Sequence, residues 1–131
     1  MSKWLDRALI VSPYHYCLCL SEKSFRKELK KMELPKSEWP AFLATKQADA
    51  TVHFFEHGSG SLCAIVCLRA GKQHTKEQVF AMLTHEAIHI WQEVRDYLGE
   101  RFPSKEFEAY SVQTLCQRLF ESYVSQIKGK R

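Results

Sequence analysis

The sequence predicts an α+β domain in which a small antiparallel or mixed β-sheet packs against helices, two of them long. Three observations carry that prediction. Short runs rich in β-branched and aromatic residues occur at 14–20 (YHYCLCL), 50–56 (ATVHFFE) and 61–69 (SLCAIVCLR). A capping signature at Thr75 opens a stretch of helical periodicity that stops at Gly99. A second helical stretch runs from about Pro103 or Ser104 to about Ile127. A chain of 131 residues has material for one core, so 1–131 is expected to form a single domain.

Each element has its own local reason. YHYCLCL reads as a short strand, and Ser21 can cap a helix running to about Met32 with Phe25 and Leu29 on one face. Pro35 and Pro40 break LPKSEWPAF (34–42), which reads as a turn anchored by aromatics. The runs at 50–56 and 61–69 form a hairpin, because the intervening HGSGS supplies two glycines. Phe54 and Phe55 are expected on opposite faces of their strand. In the first long helix, Thr75 and Gln78 make a capping box and Gly99 takes the position just past the end. Its apolar stripe is Phe80, Leu83, Ala87, Ile90, Trp91, Val94 and Leu98. The last helix carries Pro103 near its first position.

Composition narrows the function classes. The 45% hydrophobic and 12% aromatic content suits a packed globular protein rather than a disordered one. No apolar run approaches the ~20 residues that span a bilayer. The opening MSKWLDRALIVSP has too short an apolar stretch for a secretory signal. The expectation is a cytoplasmic protein with no membrane partner. Five cysteines, an odd number without any C-x-x-C, read as reduced packing residues rather than disulfides or a thiolate zinc site. The formal charge is +4, with basic residues clustered in SFRKELKKMEL (24–34) and KGKR (128–131). With no aromatic-basic groove pattern, these read as a solvated helix face and a terminus, and nucleic acid is not the expected partner.

Chemistry concentrates in LTHEAIHIWQ (83–92), which contains His85-Glu86-Ala87-Ile88-His89. Residues four apart on a helix lie on one face, one turn apart, so both imidazoles can bind a single metal ion. The pair lies away from the Ala87 stripe. Glu86 is offset by about 100° and can reach a metal-bound water without ligating the metal. Zinc lowers that water's pKa towards ~7, and the carboxylate can take its proton during attack on a carbonyl. Such a pattern arises by chance in about 2% of chains of this composition, so a third ligand carries much of the weight. KEFEAYSVQ offers Glu106 and Glu108, which lie 17 and 19 residues beyond His89.

His-Glu-x-x-His followed on the next helix by Glu-x-x-Ala resembles the gluzincin class of zinc peptidases. The chain also resembles small zincin-like proteins of phages and prophages, which run H-E-A-x-H-x-W-Q and then E-x-E-A-Y. The likeness covers residues 75–120 well, covers the preceding hairpin at the level of architecture, and says nothing specific of residues 1–49. It implies a zincin-like fold, with a small sheet and hairpin against the long H-E-x-x-H helix and a second long C-terminal helix. It also implies Zn²⁺ held by His85, His89 and a glutamate, with Glu86 as general base and a protein or peptide as substrate. Glu106 as ligand puts Val112, Leu115, Cys116 and Leu119 at the positions gluzincin ligand helices bury. Glu108 as ligand matches the spacing of the aminopeptidase branch, in which a Trp also follows the second His by two. Glu106 is therefore preferred, with Glu108 the alternative. Many gluzincins carry Asp or Asn four residues after the ligand, whereas Tyr110 stands there in this chain, a phenol that can still hydrogen-bond. Tyr110, Tyr123, His57 and Arg95 are candidates to hold a developing oxyanion. His15, His53 and His74 are weaker candidates for the site. The resemblance to phage proteins implies a role in host takeover, defence evasion or processing of a phage or host protein. The other reading is a zinc-binding, catalytically inactive interaction protein on the same fold, since so short a chain leaves little for a substrate cleft.

Overall fold

The structure is a computed structural model that describes residues 4–5, 14–56, 62–69, 71 and 73–129. The elements are β1 (Tyr14–Cys19), α1 (Glu22–Lys31), a 3₁₀ turn (Lys36–Glu38), β2 (Ala50–Glu56), β3 (Leu62–Leu68), α2 (Lys76–Leu98) and α3 (Lys105–Lys128). The sheet order is β1-β3-β2. β3 pairs parallel with β1 and antiparallel with β2, so the sheet is mixed. The hairpin pairing runs from Ala50 opposite Leu68 to Glu56 opposite Leu62, and the HGSGS connection lies outside the described residues.

Alternation along the strands divides the core into two layers. Tyr14, Tyr16, Leu18, Ala64, Val66 and Leu68 pack with α2 and α3, and Phe54 packs on the same side. Cys17, Cys19, Ile65 and Cys67 pack with Phe25 and Leu29 of α1, and Phe55 lies on that side. The sheet is therefore covered by α1 on one face and by α2 and α3 on the other. β3, at the centre, is almost wholly buried, as a strand covered on both faces should be. α2 lies against β2 and α3, while α3 reaches β1. Among the described residues, no helix is long and apolar enough to cross a membrane.

The helix ends follow from their capping residues. Ser21 caps α1 by accepting from Ser24 N–H. The capping box of α2 is formed by Thr75 and Gln78, and Gly99 ends the helix at φ 70. Two details differ from the sequence expectation. Leu98 is 39% exposed, so the buried stripe of α2 ends at Val94. Pro103 precedes the cap of α3 rather than sitting inside its first turn. Ser104 is the N-cap, because its hydroxyl accepts from Phe107 N–H at 3.1 Å, which a proline side chain cannot do.

α1 ends less comfortably. Glu33 adopts φ 59, the one non-glycine with positive φ among the described residues. Its N–H reaches Lys30 O at 3.0 Å and Leu34 N–H reaches Leu29 O at 3.4 Å, the pair of bonds that reverses a chain at a helix C-terminus. Glycine normally occupies that position, since a Cβ there costs roughly 1–2 kcal/mol. The turn sends the chain back along α1, where Trp39 Nε1 donates to Leu34 O at 2.9 Å.

Asp49 ties the loop before β2 to the segment before α2. It accepts from His74 Nε2 at 3.2 Å and from Arg69 Nη2 at 3.3 Å. The His74 bond, helped by Arg69, holds its carboxyl below the usual carboxylate range.

Two outcomes are expected from these local features. Glu33→Gly should raise the urea midpoint, by up to about 1 kcal/mol in stability, with an unchanged m-value; a fall would mean that the glutamate side chain contributes more than its backbone strain costs. The stability supplied by Asp49 is full above its unfolded pKa of about 3.9 and is lost as pH falls through the lower folded value. Urea unfolding across that acid range should show a steeper loss for the wild type than for Asp49→Asn.

Candidate metal centre

α2 sorts its side chains by angle. Val79, Leu83, Ala87, Ile90 and Val94 are buried against the sheet, while His85 and His89 lie on the exposed side. Their Nε2 atoms are 3.2 Å apart. The rings stand nearly perpendicular, at 77° with centroids 4.8 Å apart. Two imidazole nitrogens bound to one tetrahedral zinc at 2.0–2.1 Å are about 3.3 Å apart. The spacing of the pair therefore fits a shared zinc ion. His89 Nδ1 lies 3.1 Å from Gln92 Oε1. An amide oxygen only accepts, so Nδ1 is the donor in this contact, and the tautomer that matches it leaves Nε2 as the nitrogen for a metal.

Glu86 points elsewhere. One residue of rotation carries it from the exposed face to the seam between α2 and β2, where it is only 5% exposed. Burial raises its pKa, while the positive character of His85 and His89 and the backbone N–H of Val52 pull it back. The buried carboxylate is held by its bond to the edge strand of the sheet and feels the charge of the two imidazoles from a distance. Its raised pKa makes it a better base than an ordinary carboxylate.

The two glutamates of α3 are separated by the helix itself. Residues two apart point about 200° away from each other. Glu108 lies on the side of α3 that meets α2, and its Oε2 accepts from Trp91 Nε1 at 2.9 Å. Glu106 lies on the exposed side. Leu115 and Leu119 are buried, with Val112 and Cys116 packed against the core, as the register of α3 anticipates. That stripe continues through Glu108, not Glu106. Trp91 is buried as expected and meets Phe107 edge-on at 5.4 Å. Ile88, Gln92 and Arg95 of α2 and Glu108, Ala109 and Val112 of α3 border an open groove of about 590 Å³ between the two helices, which neither histidine lines. Among the described residues, no three His, Cys, Asp or Glu side chains are grouped closely enough to hold a metal ion. The structure thus brings His85 and His89 together, leaves Glu86 buried in the seam with β2, and leaves Glu108 on Trp91.

The remaining candidates are dispersed. Tyr110 is 63% exposed on α3. Tyr123 is buried edge-on to Phe80, and Arg95 lines the groove with Glu108. His53 is bonded to Phe42 O at 2.9 Å and stacked on Phe25, and His74 is bonded to Asp49. His15 is exposed on β1, away from α2, and His57 lies outside the described residues. None of the five cysteines is in a disulfide. The Cys17 thiol is pushed up by its bond with Cys19 and by burial, and burial pushes up Cys67, which makes both poor thiolate donors.

Two participants were not picked out from the sequence. Gln92 is three residues past His89, a spacing that brings helix side chains together, so its role was open to inference. Val52 had no such signal, since its contact with Glu86 depends on how β2 lies against α2. No family model, no curated protein and no solved structure matches the chain.

The Trp91–Glu108 bond links α2 to α3 beside the groove. Trp91→Phe removes the donor and part of the buried ring system, and should cost at least about 1–2 kcal/mol, read as a lower urea midpoint. An unchanged midpoint would mean that water replaces the indole at no cost.

Proposed function

We propose that this protein is a zinc-dependent metallopeptidase of gluzincin type. The observation that carries the proposal is the 3.2 Å approach of two exposed Nε2 atoms with a buried carboxylate on the intervening turn. His85 and His89 hold the metal, and Gln92 fixes the protonation of His89. Glu108 is the third ligand, supplied from α3. Its place on the α2-facing side of α3 supports it over Glu106. Bound zinc supplies Lewis acidity and an acidified water. With zinc bound, Glu86 would accept the proton of the attacking water and return it to the leaving amine, and Val52 N–H and burial fix where its carboxylate sits. β2, at the edge of the sheet beside α2, aligns an extended peptide by strand pairing. The zincin-like identity of the fold, the peptide substrate, the phage-type role and the cytoplasmic setting belong to the same proposal.

One observation favours a second reading, a zinc-binding interaction protein without turnover. Glu108 is bonded to Trp91 rather than grouped with the histidines. With two imidazoles as the protein donors, metal would cross-link one turn of α2 and its surface would serve as a docking face.

Elemental mass spectrometry on zinc-reconstituted protein tests the metal site. About one zinc per chain is expected in the wild type and in Glu106→Gln, with loss in His85→Ala and Glu108→Gln. Zinc retained in His85→Ala would remove the site from this turn, and loss in Glu106→Gln alone would exchange the ligand. Glu86→Gln should keep the metal and lower peptide hydrolysis by at least about 100-fold. Full zinc occupancy in a wild type that cleaves no peptide of a broad library would favour the interaction protein.

A further inference from the structure

α1 and the turn after it build a second concave surface, on the opposite side of the sheet from His85 and His89. It is an open groove of about 850 Å³. Its rim carries Lys23, Arg26, Lys27 and Lys30 of α1 and Lys36 of the 3₁₀ turn. Arg26 is paired with Glu22 at 2.6 Å. Among the described residues no carboxylate pairs with Lys23, Lys27, Lys30 or Lys36. Glu33 is the one acidic residue of the lining. The floor is apolar, made of Leu34 and Trp39, both packed against the core cluster beneath α1. This floor exists because Glu33 accepts a left-handed backbone that folds Leu34 and Trp39 back along α1, and because the Trp39 indole is pinned to Leu34 O. Strain held at one residue to shape a concave surface is common at binding sites.

We propose that this groove docks an acidic peptide segment of a partner protein, with one apolar side chain seated on Leu34 and Trp39. Charge complementarity supplies the anion preference, since four unpaired ammonium groups face a single carboxylate. Lys23 and Lys30 are separated by about 10 Å along the helix axis. Carboxylates on one side of an extended peptide recur about every 7 Å, so two fit along α1. Single-stranded nucleic acid fits less well. It binds through successive aromatic faces, and this groove has one indole, half-buried and tied by its N–H. The site stands or falls independently of the metal proposal, because it uses no residue of α2 or α3.

The test is fluorescence anisotropy on the full chain with a labelled Glu-Asp-Leu-Glu-Phe-Glu-Asp peptide. The same peptide with Asn and Gln for Asp and Glu is the charge control, and a labelled oligo-dT is the nucleic-acid control. The acidic peptide is expected to bind at least about tenfold more tightly than either, and to weaken as salt rises from about 50 to 200 mM. The triple variant Lys23→Glu, Lys27→Glu, Lys30→Glu should lose binding. A control triple with the same charge change, Lys76→Glu, Arg101→Glu, Lys105→Glu, should keep it within about twofold. Lys→Gln at positions 23, 27 and 30 serves if the reversed charges unfold α1. Equal binding of the neutral peptide, equal loss in the control triple, or tighter binding of oligo-dT would each overturn the proposal.

Discussion

Burial of one face of α2 against the sheet is the constraint on which the rest of the molecule depends. Val79, Leu83, Ala87, Ile90 and Val94 fix the rotation of the helix. Once that rotation is set, the 100° step per residue leaves no freedom for the others. His85 and His89 must face out, Glu86 must enter the seam with β2, and Trp91 must face α3. The chemistry of the site is thus a by-product of core packing. A rotation of α2 by a third of a turn would bury an imidazole and expose an apolar residue, at a cost of several kcal/mol. The same packing that stabilises the domain preorganises the candidate ligands.

The sequence disclosed what depends on local rules. α2 was readable almost to the residue, because Thr75, Gln78 and Gly99 satisfy backbone groups that any helix end leaves open. The three strands followed from short runs of β-branched and aromatic residues, and the split of Phe54 from Phe55 from the two-residue period. The position of α1 beneath the sheet did not, since a helix with Phe25 and Leu29 inward can cover either face. Which of Glu106 and Glu108 faces α2 was equally illegible. The apolar register of α3 was read correctly, yet which carboxylate meets α2 depends on the offset between two antiparallel helices. That offset is set by side chains such as Phe80, which stacks on Phe120 at 4.5 Å, and Trp91 against Phe107. No local pattern encodes it. The start of α3 moved by one residue for a local reason, since Ser104 offers the hydroxyl that Pro103 lacks.

The two concave surfaces lie on opposite sides of the sheet and differ in kind. The groove between α2 and α3 is the smaller and mixes Arg95 with Glu108. The groove on α1 is larger and rimmed by lysines. A chain of this length can support both because three strands separate them, and each borrows a different layer of the core. The lysine run of α1, taken by itself, is an ordinary solvated helix face. The left-handed turn at Glu33 and the pinned indole of Trp39 turn it into a groove.

The central claim is that His85 and His89 share one metal ion. X-ray absorption at the zinc edge of the reconstituted protein addresses it directly. The account predicts a four-coordinate nitrogen and oxygen shell at about 2.0–2.1 Å, the outer-shell scattering of two imidazoles, and no sulfur. One imidazole, or a sulfur shell at about 2.3 Å from the cysteines, would contradict it.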